Sequence, residues 1–268
     1  MKFRINIAKK AVSAIILAVV CSVGYAQEAA NMSTTELKDE ASNLANARKY
    51  FEARPYIVEL IKRIEGSDDK ALREMLQQFY FFEAYSYLQE YGNNGSSETA
   101  LVKKAIDGFD KVLRNYPNGD FALDSIRTKA NCYEALQDFE NAIRTRGMLL
   151  KAPYSYKLSN KEKYETMKRI CQVLYNNRKW KIGKEWFEKL LTTSKNIDDK
   201  VLAASALIQG SFAEKKFADA KKYTKYMVYN TLVRNDPSLN IEFIKAGDAL
   251  SNAGKFSEAM VFYNLVFD

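Results

Sequence analysis

Apolar residues along this chain recur at helical spacing, and one short pattern of them returns six times. In its fullest copy Phe256, Ala259, Tyr263 and Val266 follow one another at steps of three, four and three residues. Those steps place all four on one face of an α-helix. Tyr50, Ala53, Ile57 and Leu60 form a second copy; Trp180, Gly183, Phe187 and Leu190 form a third. Phe139, Ala142 and Leu149 keep the frame with Arg146 in the third slot, and Phe217, Ala220 and Met227 keep it with Thr224 there. Ala105, Phe109 and Val112 carry the later part, where a Gly-Asn-Asn-Gly-Ser-Ser loop over 92–97 displaces the first aromatic.

The small residue falls at 53, 105, 142, 183, 220 and 259, in steps of 52, 37, 41, 37 and 39 residues. A period near forty with a helix on each side of a turn predicts stacked helical hairpins. The small residue lets the second helix approach the first, and the aromatic before it plugs the turn. Each hairpin buries its remaining apolar face on the next rather than in one central core. Boundary signals agree. Ser33-Thr34-Thr35-Glu36 and Ser159-Asn160-Lys161-Glu162 fit capping boxes, and Asp236-Pro237 fits an N-cap with Pro at the first helical position. Asn115 to Gly119 and Lys151-Ala152-Pro153 mark the ends of second helices. The expected fold is all-α: a right-handed superhelical stack of about six helix-turn-helix hairpins over 33–268, with no sheet.

Composition narrows the chemistry. Only 11 Gly and 4 Pro among 268 residues argue against a strand-and-turn fold, which uses both at its corners. The chain has no His, which removes His-based triads, His metal sites and the usual pH switch. Residues 1–26 read as a secretory signal: Lys2, Arg4, Lys9 and Lys10 precede an apolar run from Ala11 to Val20, and Gly24 and Ala26 flank Tyr25 before a cleavage point at Gln27. The competing reading is lipidation at Cys21, since Leu17 to Cys21 is similar to a lipobox, although Val20 stands where a smaller residue is usual. Loss of the leader takes the formal charge from +8 to +4. So mild a balance gives little support to nucleic-acid binding, and none is expected. Cys132 and Cys171 then remain, too few for a disulfide framework, and read as buried thiols or at most one bridge.

Phe243, Ala246-Gly247, Leu250, Gly254, Phe256, Ala259 and Tyr263 resemble, in order, the pattern of the tetratricopeptide repeat family. The stretch from Ala105 to Pro117 is similar to repeats of exported envelope proteins of the outer-membrane assembly lipoprotein and Tol-Pal-associated type. The resemblance covers about 33–268. It implies a 27–268 repeat domain and a groove, lined by first helices, in which an extended peptide lies. Projected onto this chain, the groove takes Arg127, Asn131, Lys168, Gln172, Tyr175, Gln209, Phe212 and Asp248. Arg127 with Asn131 resembles half of the family's carboxylate clamp. Arg169, Leu202 and Ala206 occupy further clamp positions, so the full clamp is absent.

No other constellation points to catalysis. Asp68-Asp69 and Asp198-Asp199 lie beside Lys70 and Lys200 and read as solvated loop charges, and no phosphate loop, nucleophile elbow or CxxC pair appears. Neither a cofactor nor a metal is implied. The expected function is a non-enzymatic scaffold of a Gram-negative cell envelope, in the periplasm or at the outer-membrane periphery. It would bind a protein or peptide segment, and touch a membrane only if Cys21 carries lipid. Two rivals stand beside it: surface capture of a glycan by Tyr154 and Tyr156, which read as exposed in a loop, or an accessory role to an envelope enzyme. The closing run Met260, Val261, Phe262, Tyr263, Leu265, Val266 and Phe267 is apolar nearly throughout. It suggests a repeat array continuing beyond this chain, or self-association through the last hairpin.

The leader reading makes a direct prediction. Mass spectrometry of the protein recovered from an expressing Gram-negative cell should give a mature N-terminus at Gln27, and a diacylated Cys21 would replace the soluble form by a tethered one.

Overall fold

A computed structural model describes residues 26–229 and 237–267. The leader, Cys21 included, and Asp236 of the proposed cap lie outside the described residues, apart from Ala26. Six helical hairpins make up the fold: α1 (Thr34–Asn46) with α2 (Tyr50–Glu65), α3 (Lys70–Asn93) with α4 (Thr99–Asn115), and α5 (Ala122–Ala135) with α6 (Phe139–Gly147). Then come α7 (Asn160–Asn176) with α8 (Trp180–Thr193), α9 (Ile197–Ala213) with α10 (Phe217–Tyr229), and α11 (Pro237–Asn252) with α12 (Phe256–Phe267). Two short 3-10 turns, Met148–Leu150 and Tyr154–Lys157, follow α6. No strand occurs among the described residues, as the apolar pattern predicts. The chain divides into two compact units of three hairpins each, Met1–Leu149 and Leu150–Asp268.

All six hairpin turns share one backbone device. A residue in the left-handed region ends the first helix: Arg48, Gly95, Gln137, Arg178, Lys215 and Gly254, with φ between 54° and 72°. The next N–H then reaches back five residues to a carbonyl of the last helical turn. Examples are Lys49 to Leu44 at 2.9 Å, Lys179 to Leu174 at 2.9 Å and Lys216 to Ser211 at 2.8 Å. This closure satisfies a carbonyl that the helix end would otherwise leave without a partner. The two predicted capping boxes form at the helix starts. The Glu36 N–H donates to Ser33 Oγ and the Ser33 N–H to the Glu36 carboxylate, with the same exchange between Ser159 and Glu162.

The repeated small residue sits at the centre of each hairpin. Ala53, Ala105 and Ala220 are fully buried, and Ala142 and Ala259 nearly so. At Gly183 one methyl group would stand 2.5 Å from the ring of Phe187 on the same helix and 3.0 Å from Leu174 of α7, so the seam there is already filled. Its partners in the frame, Ile57, Leu60, Phe109, Phe187 and Leu190, have no exposed surface. The two polar exceptions are explained by their bonds. Buried Thr224 donates to the Ala220 carbonyl at 2.9 Å. Buried Arg146 donates to Asn131 Oδ1 at 2.6 Å and pairs with Glu134. Each polar group thereby avoids the cost of an unmade bond in an apolar setting. In the second hairpin α4 begins before the repeat frame does, and Val102, fully buried, fills the slot that an aromatic takes elsewhere.

In the first unit α3 is buried on more than one face: Phe79, Tyr80, Phe81 and Phe82 are consecutive and all buried. A helix apolar on several sides is a central one. Its rings knit the three hairpins together, Phe82 lying 5.5 Å from Tyr50 of α2, and Phe81 5.6 Å from Phe109 of α4 and 5.1 Å from Phe121 before α5. Ahead of α1, residues 26–31 are helical, with Ala29 fully buried. The Arg63 guanidinium donates to the carbonyls of Ala30 and Met32 at 3.1 and 2.6 Å. A cation at a helix end satisfies the last carbonyls and suits the dipole.

Three expectations change. Tyr154 is buried rather than exposed, because the 3-10 turn Tyr154–Lys157 folds its ring inward; Tyr156 alone projects, at 83% exposure. Phe256 does not plug its turn and is 66% exposed. Of the closing run, only Met260 is exposed among the described side chains, while Phe262 is buried against Phe212 and Phe243.

The seam sets the first stability prediction. Ala142→Trp or Ala259→Trp should lower unfolding stability by roughly 1–3 kcal/mol or more through overpacking, read by urea denaturation. Gly254→Ala should cost about 1 kcal/mol from left-handed strain alone, because at φ +72° its added methyl meets nothing within 4 Å.

Candidate functional site

The residues projected onto a peptide groove fall on first helices of both units. In the first unit Arg127 lies on α5, half-buried, and its guanidinium reaches Asp124 at 3.0 Å. Asn131, one turn further, is exposed and accepts from Arg146. Thus the two clamp-like residues stand on one face, each held by a neighbour.

In the second unit Lys168, Gln172 and Tyr175 line one face of α7, all half-buried. Tyr175 meets Trp180 edge-on at 5.4 Å. Gln209 and Phe212 lie half-buried on α9, where Phe212 packs 6.1 Å from Phe217 and 5.5 Å from Phe262. Asp248 is exposed on α11 and accepts from the Tyr263 hydroxyl at 2.8 Å. Tyr175 and Phe212 therefore do structural packing with part of each ring left exposed, while Gln172 and Asp248 present polar groups outward.

Lys168 belongs to a polar cluster that sequence reading missed. Asp199, expected as a solvated loop charge, is 4% exposed and lies in the first turn of α9. The Lys168 ammonium stands 3.0 Å from Asp199 Oδ1, and the Tyr164 hydroxyl bonds both Asp199 Oδ2 and Ser194 Oγ. The Asn196 side chain caps the same helix by accepting from the Asp198 and Asp199 N–H groups at 2.7 and 3.2 Å. Burial, then the bond to Asp199, raises the Tyr164 hydroxyl above its ordinary value. The Asp199 bond likewise holds the Lys168 ammonium above its own. The cluster pins α7 of one hairpin to α9 of the next. Only the neighbouring Lys200 and the doubled Asp are visible in sequence, and neither reveals that α7 supplies the counter-charge.

A comparable cluster lies in the first unit. Arg54 of α2 donates to Ser86 Oγ at 2.7 Å and the Ser86 carbonyl at 2.8 Å, pairs with Glu90 at 2.6 Å, and stacks 4.2 Å over the Tyr87 ring. Beside it, burial pushes Glu83 and Tyr87 above their usual ranges. Cys132 and Cys171 are free buried thiols, and burial pushes each up to about 12. At neutral pH they are packed, protonated groups rather than nucleophiles. Among the described residues no three Cys, Asp or Glu side chains could hold a metal ion, and no helix is long and apolar enough to cross a membrane.

No family model matches the chain, and no curated protein sequence matches it. Among solved structures it is similar to a tetratricopeptide repeat protein from Parabacteroides merdae, at 14% identity and a TM-score of 0.43, over 87% of this chain and 78% of that one. It is also similar to the apo form of RapI, at 13% identity and a TM-score of 0.44, over 90% and 86%. The class of the protein rests on its own helices: six hairpins with one turn geometry and one buried small residue each define an all-α helical-hairpin repeat protein.

The polar cluster around Asp199 predicts a pH dependence. Tyr164 and Lys168 both bind their protons more tightly in the folded chain. Their contribution is complete below the ordinary values of 10.0 and 10.5 and is lost as pH rises through the raised ones. Thermal melts from about pH 9 to pH 11 should show a shallower fall for the Tyr164→Phe, Lys168→Met double variant than for the native chain.

Proposed function

We propose that this protein is a non-enzymatic helical-repeat scaffold, each of whose two units holds a segment of another protein against the outward faces of its own first helices. The observation that carries this reading is the placement of Arg127, Asn131, Lys168 and Gln172. All are polar and at least partly accessible on first helices, and three of them are held by Asp124, Arg146 and Asp199. Polar groups fixed before a partner arrives lose little freedom on binding, and so favour recognition over plain solvation. The leader-like N-terminus supports export to a Gram-negative envelope, and the Ala105 to Pro117 stretch supports a role in an envelope assembly. Glycan capture has weaker support, since Tyr154 is buried and Tyr156 stands without it.

Affinity recovery from native envelope with the 27–268 form tests the reading. A defined partner should be retained by the native chain and reduced about tenfold, the effect of losing roughly 1.4 kcal/mol, by Arg127→Glu or Gln172→Arg. Equal recovery with all three proteins would overturn it.

A further inference from the structure

The second unit carries a furrow that the first-helix reading does not use. Three cavities run along the edge where its hairpin turns lie. One of about 20 Å³ lies between Trp180 and α9, lined by Ala206, Leu207 and Gly210. A second shares Trp180, Lys181, Gly210 and Glu214 with it and adds Ile182, a large apolar side chain 39% exposed. A third shares Lys216 and Asp219 with the first and extends to Lys255 and Glu258. The second and third each share wall residues with the first, so the three lie side by side along this edge. Gly210 packs directly against Trp180: a methyl there would stand 2.8 Å from Trp180 Cβ.

Its charge is one-sided. The fourth turn contributes Arg178, Lys179 and Lys181, the fifth Lys215 and Lys216, and the sixth Lys255. Lys184 brings the basic residues to seven, against three acidic ones. Those three are already engaged from within: Asp219 with Lys184 at 3.3 Å, Glu214 with Lys216, and Glu258 with Lys255 at 3.8 Å. The surplus cations Arg178, Lys181 and Lys215 stand on exposed residues at the rim. Opposite charge is therefore drawn to a depression whose floor is apolar, the combination that gives a site both steering and an anchor.

We infer that this turn edge is a second binding surface, and that its occupant is an acidic peptide segment carrying an apolar anchor side chain. Carboxylates of the segment meet the rim cations, and the anchor enters the second cavity, of about 250 Å³, beside Trp180 and Ile182. The apolar cavity beside Trp180 and Ile182 fits a chain that carries an apolar anchor side chain better than a flat anionic bilayer, whose phosphates would meet the rim cations alone. The surface is distinct from the first-helix faces and stands or falls separately from them.

The probe is a fluorescein-labelled peptide of sequence EEFEEFEE, with KKFKKFKK as its charge-reversed control, added to the 27–268 protein. The chain has only two Trp residues, so Trp186→Phe leaves Trp180 as the single indole and a reporter inside the furrow. The acidic peptide should bind by anisotropy and change Trp180 emission. Its binding should fade as ionic strength approaches about 1 M, where the Debye length is roughly 3 Å. Lys181→Glu with Lys215→Glu should weaken it at least about tenfold with the thermal melt unchanged, and Gln172→Arg should leave it intact. Failure to bind, equal binding of the basic peptide, or loss through Gln172→Arg but not through the rim variant would overturn the proposal. So would sedimentation with equimolar phosphatidylserine–phosphatidylcholine vesicles in the absence of peptide binding, which would assign the edge to a membrane.

Discussion

Close approach of two helices at one small residue is the constraint on which this structure depends. Ala53, Ala105, Ala142, Gly183, Ala220 and Ala259 are all buried at that seam, and at Gly183 an added methyl would already press on Leu174 of the first helix. Protein interiors are packed densely enough that such a seam is filled or broken by a single methylene. The turn is set by the same demand. A left-handed residue followed by a five-residue reach-back bond reverses the chain within a few residues, and so delivers the small residue to the seam. Five of these turns use Arg, Gln, Lys or Gly at the left-handed position and the sixth uses Gly95 followed by Ser96, so the geometry is imposed by packing and not by glycine alone.

Polar groups inside the array act as fasteners between helices, within one hairpin at Arg146 and between neighbouring hairpins at Arg54 and Asp199. Arg54 joins α2 to α3, Arg146 joins α6 to α5, and Asp199 joins α9 to α7. An apolar contact alone would let one helix slide along another at little cost. A bonded charge in a partly buried site is costly to displace, because the group left behind loses its partner. The fasteners thus fix register, and register decides where the polar residues of the first helices and the basic residues of the turns come to lie. Recognition surfaces in a repeat protein are made by that placement, since no residue of a single hairpin encloses a ligand by itself.

Much of this was legible in the chain alone. Helical periodicity, the six small residues and both capping boxes identify the hairpins, because each depends on neighbours within a turn or two of helix. The candidate faces were legible only in part. Position on a helix places Arg127 and Gln172 outward, yet whether Asp199, Tyr154 or Phe256 is covered depends on what a neighbouring element brings against it.

The sequence by itself determined the secondary structure, the hairpin period and the buried seam, since local geometry and apolar spacing suffice to state them. Only the tertiary structure decided that the chain divides at Leu149 into two units of three hairpins, that Lys168 reaches Asp199, and that three turns bring basic residues to adjacent cavities. The physical reason is separation along the chain. Lys168 and Asp199 are 31 residues apart, and the fourth and sixth turns farther still. No local preference links such residues until packing of whole hairpins has set the distance between them.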